Sequence, residues 1–149
     1  MTAMANYSDD TELIKIRPEI LDYEITDWED MHVEAKRIID REIEALWYRE
    51  QAAEHGISWE SVGFDDTLVD TAALKRLASY KALELIYLYL MKDSAEPDAF
   101  ERQMHLFHDL YVEEFQKILS LGLGYDWDSS GAIDADETLV PQMRRLHRM

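Results

Sequence analysis

Leu74-Lys75-Arg76-Leu77-Ala78-Ser79-Tyr80-Lys81-Ala82-Leu83-Glu84-Leu85-Ile86-Tyr87-Leu88-Tyr89-Leu90-Met91 decides the fold. Its first half carries one apolar stripe, Leu74, Leu77 and Ala78, continued by Leu85 and Leu88, at the spacing of a helix. From Ala82 onward it is apolar on nearly all sides, Glu84 excepted. A helix greasy all round is buried all round. Two further helices in the same chain hardly suffice to surround it. Leu85, Ile86, Tyr87, Leu88, Tyr89 and Leu90 are therefore expected to pack against neighbouring copies, the alternative being a central helix of a single-chain bundle. Its span is read as about 70–91.

On its C-terminal side Pro97 suits the first position of another helix, with Asp98 and Glu101 in the first turn. Phe100, Met104, Phe107, Tyr111, Phe115, Ile118 and Leu119 give that helix an inner face over about 97–121, and Gly122 ends it. On its N-terminal side a helix over about 27–55 opens with the capping box Thr26-Asp27-Trp28-Glu29 and stops at Gly56. Trp28, Met31, Ala35, Ile38, Ile39, Ile43 and Leu46 recur on its apolar side, and its charged residues form a solvated face with i,i+4 pairs. The loop 56–66 holds Ile57, Trp59, Val62 and Phe64, read as packing anchors. Residues 1–10 read as a flexible lead. Residues 13–21 read as a mixed segment, extended into Arg17 because Pro18 disfavours a helical residue before it, with Pro18 opening a helical turn. The expectation is all-α: a small bundle of three main helices with an extended N-terminal segment and a non-helical C-terminal loop and arm. It divides into 1–25 (lead and extended segment), 26–122 (bundle) and 123–149 (loop and arm).

Asp126-Trp127-Asp128-Ser129-Ser130-Gly131-Ala132-Ile133-Asp134-Ala135-Asp136-Glu137 fits the twelve-residue EF-hand loop at its defining positions. Asp126, Asp128 and Ser130 would offer side-chain oxygens to a hard cation such as Ca²⁺. Ala132 would offer its carbonyl, Asp134 would act directly or through water, and Glu137 would bind with both carboxylate oxygens. Gly131 falls where the chain must turn with positive φ, and Ile133 is expected to pin the loop to the core. Gly122 and Gly124 interrupt the entering helix, and Pro141 disfavours an exiting one. The motif is also single. A structural clip fits this context better than a sensor, which needs a helix pair to open.

The next feature is basic: Met143-Arg144-Arg145-Leu146-His147-Arg148. The chain has 15 basic against 32 acidic residues, a formal net charge of −17. Setting aside Arg144, Arg145 and Arg148 leaves 12 against 32, a balance of −20. Such a body repels nucleic acid and anionic membrane, yet could line a passage through which DNA slides without sticking. The partly alternating basic arm could add a strand to a partner's sheet edge, with its arginines pairing to carboxylates. An apolar share of 47% predicts one packed domain, not disorder. There is no cysteine, so disulfide and thiolate chemistry are excluded. The longest apolar run, 85–91, falls far short of the roughly 20 residues a membrane helix needs, and residues 1–8 lack the regions of a signal peptide. The expectation is a soluble, cytoplasmic chain.

Two histidine patterns are weak as chemistry. Glu29 and His32 form one Glu-x-x-His pair where a di-iron bundle needs two, plus two further glutamates. His105 and His108 lie one turn apart near Glu101 and Asp109, without a third ligand placed by the sequence. With no phosphate-cradling or nucleophile-elbow motif either, the chain is not read as an enzyme.

Four features in order carry a resemblance. They are Leu13…Arg17-Pro18-Glu19-Ile20 leading to a long helix at Asp27-Trp28, the helix Leu74 to Tyr87, the amphipathic third helix, and the acidic glycine loop before Arg144-Arg145-Leu146-His147-Arg148. Together they resemble the head–tail adaptor, or connector, proteins of tailed bacteriophages, over most of the chain. The loop 126–137 departs from the simplest adaptor pattern. The resemblance implies a ring, usually of twelve copies, in the virion neck between head and tail, assembled in the host cytoplasm. Met143 to Arg148 would dock on the portal protein, the opposite face would receive the next neck or tail protein, and DNA would pass through the lumen. The competing reading is a stand-alone bacterial calcium-binding protein with a single EF-hand-like loop.

Overall fold

A computed structural model of the chain describes residues 6–23, 27–92, 94–95, 97–131 and 133. Among them the architecture is an all-α small bundle. In order come α1 (Asp10–Ile16), a 3₁₀ turn (Pro18–Leu21), α2 (Glu29–Ile43), α3 (Arg49–Glu54), α4 (Thr71–Lys92) and α5 (Pro97–Leu121). α2 and α3 are one long helix joined through a π-helical turn, Glu44–Tyr48. The three main helices thus lie within a few residues of the bounds expected from periodicity.

α4 is the axis. Leu74, Leu77, Ala78, Ala82, Leu83, Ile86 and Tyr87 are buried along it, mainly against α5 and α2. α5 contributes Phe107, Tyr111, Phe115 and Ile118, the inner face read from its spacing. α2 contributes Ala35, Ile39 and Ile43. The one charge expected on the greasy half is not alone. Glu84 accepts a hydrogen bond from Lys81 Nζ at 2.9 Å and pairs with His108 Nδ1 at 3.2 Å. Lys81 itself is buried, 4.2 Å from the centre of the Tyr111 ring, and the Tyr111 hydroxyl donates to Glu42 at 3.0 Å. These partners lower the cost of taking a charge out of water.

The N-terminal region corrects the sequence reading. Of the lead read over 1–10, residues 1–5 lie outside the described residues and 6–10 are held in place. Instead of an extended segment there is α1. Asp9 caps it, its carboxylate accepting the Glu12 N–H at 3.0 Å. Residues 6–8 are tied to α2: Asn6 donates to Glu29 at 2.8 Å, Tyr7 donates to Asp40, and Ser8 Oγ bonds His32 Nδ1 at 2.7 Å. Arg17 alone keeps the extended backbone that Pro18 imposes, at φ −135° and ψ 93°, and Pro18 does open a helical turn. Residues 6–23 therefore belong to the bundle. Of the capping box, Thr26 lies outside the described residues. The Glu29 N–H is taken by Asp27 at 3.1 Å.

This correction carries a second one. Leu13 and Ile20, both fully buried, supply the third wall around α4. Ile86 (0% exposed) and Tyr87 (2%) face the chain's own core and are not available to a neighbouring copy. Leu85, Leu88 and Leu90 are half-buried, and Tyr89 is exposed, edge-on to Trp28 at 6.2 Å. The expectation that Leu85 to Leu90 pack against neighbouring copies is thereby corrected for Ile86 and Tyr87.

The π-helical turn changes the face of the first long helix. At about 100° per residue, a regular helix would follow Ile43 with Leu46, Glu50 and Ala53 on the inner side. The wider turn acts as one extra residue. Trp47, Tyr48, Gln51 and Ala52 point inward instead, and Leu46, expected inside, is 62% exposed. The helix ends in a Schellman motif: the Ile57 N–H bonds the Ala52 carbonyl at 2.8 Å and the Gly56 N–H bonds that of Ala53 at 3.2 Å. Beyond it Ile57, Trp59 and Phe64 pack on the core as expected, whereas Val62 is exposed.

Gly56 holds φ +73° with nothing near the position a Cβ would take. Gly56→Ala should therefore cost only the left-handed backbone penalty, about 1–2 kcal/mol. Gly63 also has open space and no left-handed backbone, so Gly63→Ala should be neutral or stabilising by up to about 1 kcal/mol. Urea melts of the two variants check the pair.

Candidate functional site

The candidate site begins where α5 stops. Gly122, at φ +98°, donates its N–H to the Ile118 carbonyl at 3.0 Å and turns the chain. The next residues run antiparallel to the segment entering α4, Tyr125 opposite Val69. The Asp70 N–H bonds the Gly124 carbonyl, and the Asp126 N–H that of Leu68, each at 2.9 Å. Leu123 and Tyr125 are buried, and the Tyr125 hydroxyl oxygen accepts the Asp65 N–H at 3.0 Å. The loop thus starts from a fixed point on the bundle.

Trp127 supplies the seat. Its ring stacks on Tyr48 (5.6 Å between centres, 12° between planes) and on His55 (4.3 Å, 13°). It also meets Trp47 at 5.8 Å and Tyr125 at 4.5 Å. Trp47 and Tyr48 are the residues that the π-helical turn brings inward. Aromatic pairs of this kind contribute about 0.5–1.5 kcal/mol each beyond area burial. Ile133, expected to do this pinning, is 38% exposed. The sequence reading missed Trp127, and the available signal was two aromatic residues flanking Asp126.

The turn itself is wound on Asp126, which is 5% exposed. Its carboxylate accepts the Gly131 N–H at 2.8 Å and the Ser130 N–H at 3.1 Å; the latter is shared with Asp128 at 3.1 Å. Gly131 has the positive φ expected of it, +92°, and Ser129 also turns left-handed at +55°. A hydrogen bond from the Ser130 side chain, then contacts with Asp126 and the Ser130 N–H, hold the Asp128 carboxyl below the usual carboxylate range. Asp126, Asp128 and Ser130 are therefore brought together with oxygens on one turn. That half of the donor set fits a hard cation, since a carboxylate keeps further lone pairs after accepting N–H bonds. Among the described residues no group of three or more His, Cys, Asp or Glu is placed to hold a metal. A third carboxylate would come from Asp134 or Glu137, which, with Ala132, lie outside the described residues. So do Met143, Arg144, Arg145, Leu146, His147 and Arg148.

The histidine patterns resolve separately. His32 is 2% exposed and bridges Ser8 and Asp10, the latter at 2.9 Å from Nε2. The Ser–His–Asp order invites comparison with a nucleophilic relay. Ser8 is only 6% exposed, however, which leaves a substrate no approach to the hydroxyl; the array clamps α1 to α2. Glu29 is engaged with Asn6, away from His32. His105 pairs with Glu101 at 3.6 Å and His108 with Glu84, so the two do not converge.

Burial pushes the Tyr125 phenol up to about 12, against a lowering contribution from the Asp65 N–H, and burial also pushes Tyr87 up to about 12. The neutral phenol is thus favoured in the folded chain. Its contribution to stability is fully present below pH 10, the ordinary tyrosine value, and is lost as pH rises from there through about 12. Melts between pH 7 and 12, read beside tyrosinate absorbance, should show stability flat to about pH 10 and falling above it. Full tyrosinate absorbance should appear only on unfolding.

No family model, curated protein or solved structure matches the chain. Among the described residues no helix is long and apolar enough to cross a membrane.

Proposed function

We propose that the chain is a structural assembly protein, an adaptor of the phage head–tail type. In this reading copies form a ring below the portal protein and dock on it through Met143 to Arg148. The ring gives DNA an acidic passage towards the tail and meets the next neck or tail protein on its other face. One observation carries the reading. The hook 122–131 is nailed to the bundle by the Val69–Tyr125 bridge and the Trp127 stack, and eleven residues separate it from the basic run of an otherwise acidic chain. A fixed exit point limits the directions in which a following segment can search, which lowers the ordering cost of docking. The burial of Ile86 and Tyr87 moves any contact between copies away from the inner side of α4. Tyr89, with the half-buried Leu85, Leu88 and Leu90, remains the part of that helix open to a neighbour. Co-sedimentation with a purified portal ring tests the reading. Saturable retention supports it, and a chain left wholly in the supernatant at micromolar concentration rejects it.

A second reading is favoured by the winding of residues 126–131 around the Asp126 carboxylate: a calcium-binding protein with one loop. Titration with Ca²⁺, followed by Trp127 emission and circular dichroism, separates the two. Micromolar binding with a large helical rearrangement supports the second reading. Binding that orders the loop without moving the helices supports a clip within the adaptor.

A further inference from the structure

We propose that the long helix is a two-register switch, held in its present register by the docked Tyr125–Trp127 segment. Three observations converge on it. The π-helical turn Glu44–Tyr48 interrupts a helix that is regular on both sides, with αR backbone at Ile43, Glu44, Tyr48 and Arg49. The turn has a consequence for the surface: it leaves Leu46 62% exposed while burying Tyr48 (1%) and Ala52 (0%). The inward aromatic residues are met by a segment remote in sequence, with Trp127 stacked on Tyr48 and tilted against Trp47, and Tyr125 edge-on to both.

A regular helix needs no such turn and is the common conformer; π-helical turns are rare and concentrate at functional positions. Without the wider turn, Leu46 would rotate inward after Ile43, and Tyr48 and Ala52 would rotate outward. The present register buries Tyr48 and Ala52. The regular one would bury Leu46 and Ala53 and turn Glu50 inward, a cost that the docked segment's removal must leave smaller than that of keeping the wider turn, as a bistable element requires. Trp127 sits between Asp126 and Asp128. A cation or partner that grips this turn would pull on the stack, and the helix surface around Leu46 would report it.

The chain has no cysteine, so single thiols read the register cleanly. Maleimide labelling is measured for Leu46→Cys and Ala52→Cys, each alone and each combined with Trp127→Ala. Alone, the L46C thiol reacts readily and the A52C thiol is protected. With Trp127→Ala, the L46C thiol should slow by about tenfold or more and the A52C thiol accelerate by about tenfold or more. Any result other than this reciprocal exchange overturns the proposal; acceleration at both sites would mean local unfolding. Should Trp127→Ala lose its helical circular dichroism, Trp127→Leu, which keeps apolar volume without the stack, replaces it in the same measurements.

Discussion

Ile86→Ala should lower stability by about 2–5 kcal/mol, the range for emptying a fully buried aliphatic site. Ile86 is 0% exposed among Leu83, Tyr87, Phe107, Leu13 and Ile20. The removed atoms leave a cavity that α1, α4 and α5 cannot close without moving helices packed on both sides. For a chain of this size the melting temperature should fall by about 4–20 °C. The decrement should be the same at every protein concentration, because the packing that is removed lies within one copy. Tyr89→Ala, at an exposed site on the same helix, should stay within about 0.5–1 kcal/mol at low concentration. A decrement for Ile86→Ala that grows on dilution would instead place that side chain between subunits.

Replacing Arg144, Arg145 and Arg148 together by glutamate should weaken portal binding by about a thousandfold or more. Hydrogen bonds to charged groups contribute about 1.5–3 kcal/mol each, and removing three of them at once exceeds about 4 kcal/mol. Reversal adds repulsion to that removal. The association rate of the parent chain should fall with added salt, and in the variant that dependence should reverse, because salt screens the introduced repulsion. Surface-immobilised portal with graded salt reads both effects. The bundle's melting temperature serves as the control for folding. An unchanged affinity would remove Met143 to Arg148 from the docking surface.

What the sequence made legible follows from how locally each feature is encoded. The main helices could be read because α5 and the first half of α4 repeat their apolar residues at helical spacing, and because Gly56, Pro97 and Gly122 mark ends by their own backbone chemistry. α1 was hidden by its brevity and by Pro18, although Asp9-x-x-Glu12 is a helix-start pattern. Missing it removed a wall of the core, and so made α4 look uncovered. Leu46 was misplaced because one extra residue in a turn has no sequence mark; the benefit of the π-helical turn comes from Tyr125 and Trp127, far along the chain. At the loop, Asp126 and Gly131 were readable from spacing. Its seat on Tyr48 and His55 was not, since stacking partners some seventy or more positions away leave no local pattern.

The most direct measurement of the central claim is negative-stain imaging of the purified chain mixed with its portal ring. The adaptor account predicts class averages with an added ring layer on one face of the portal. Bare portals beside free single copies of the chain, at concentrations well above micromolar, would contradict it.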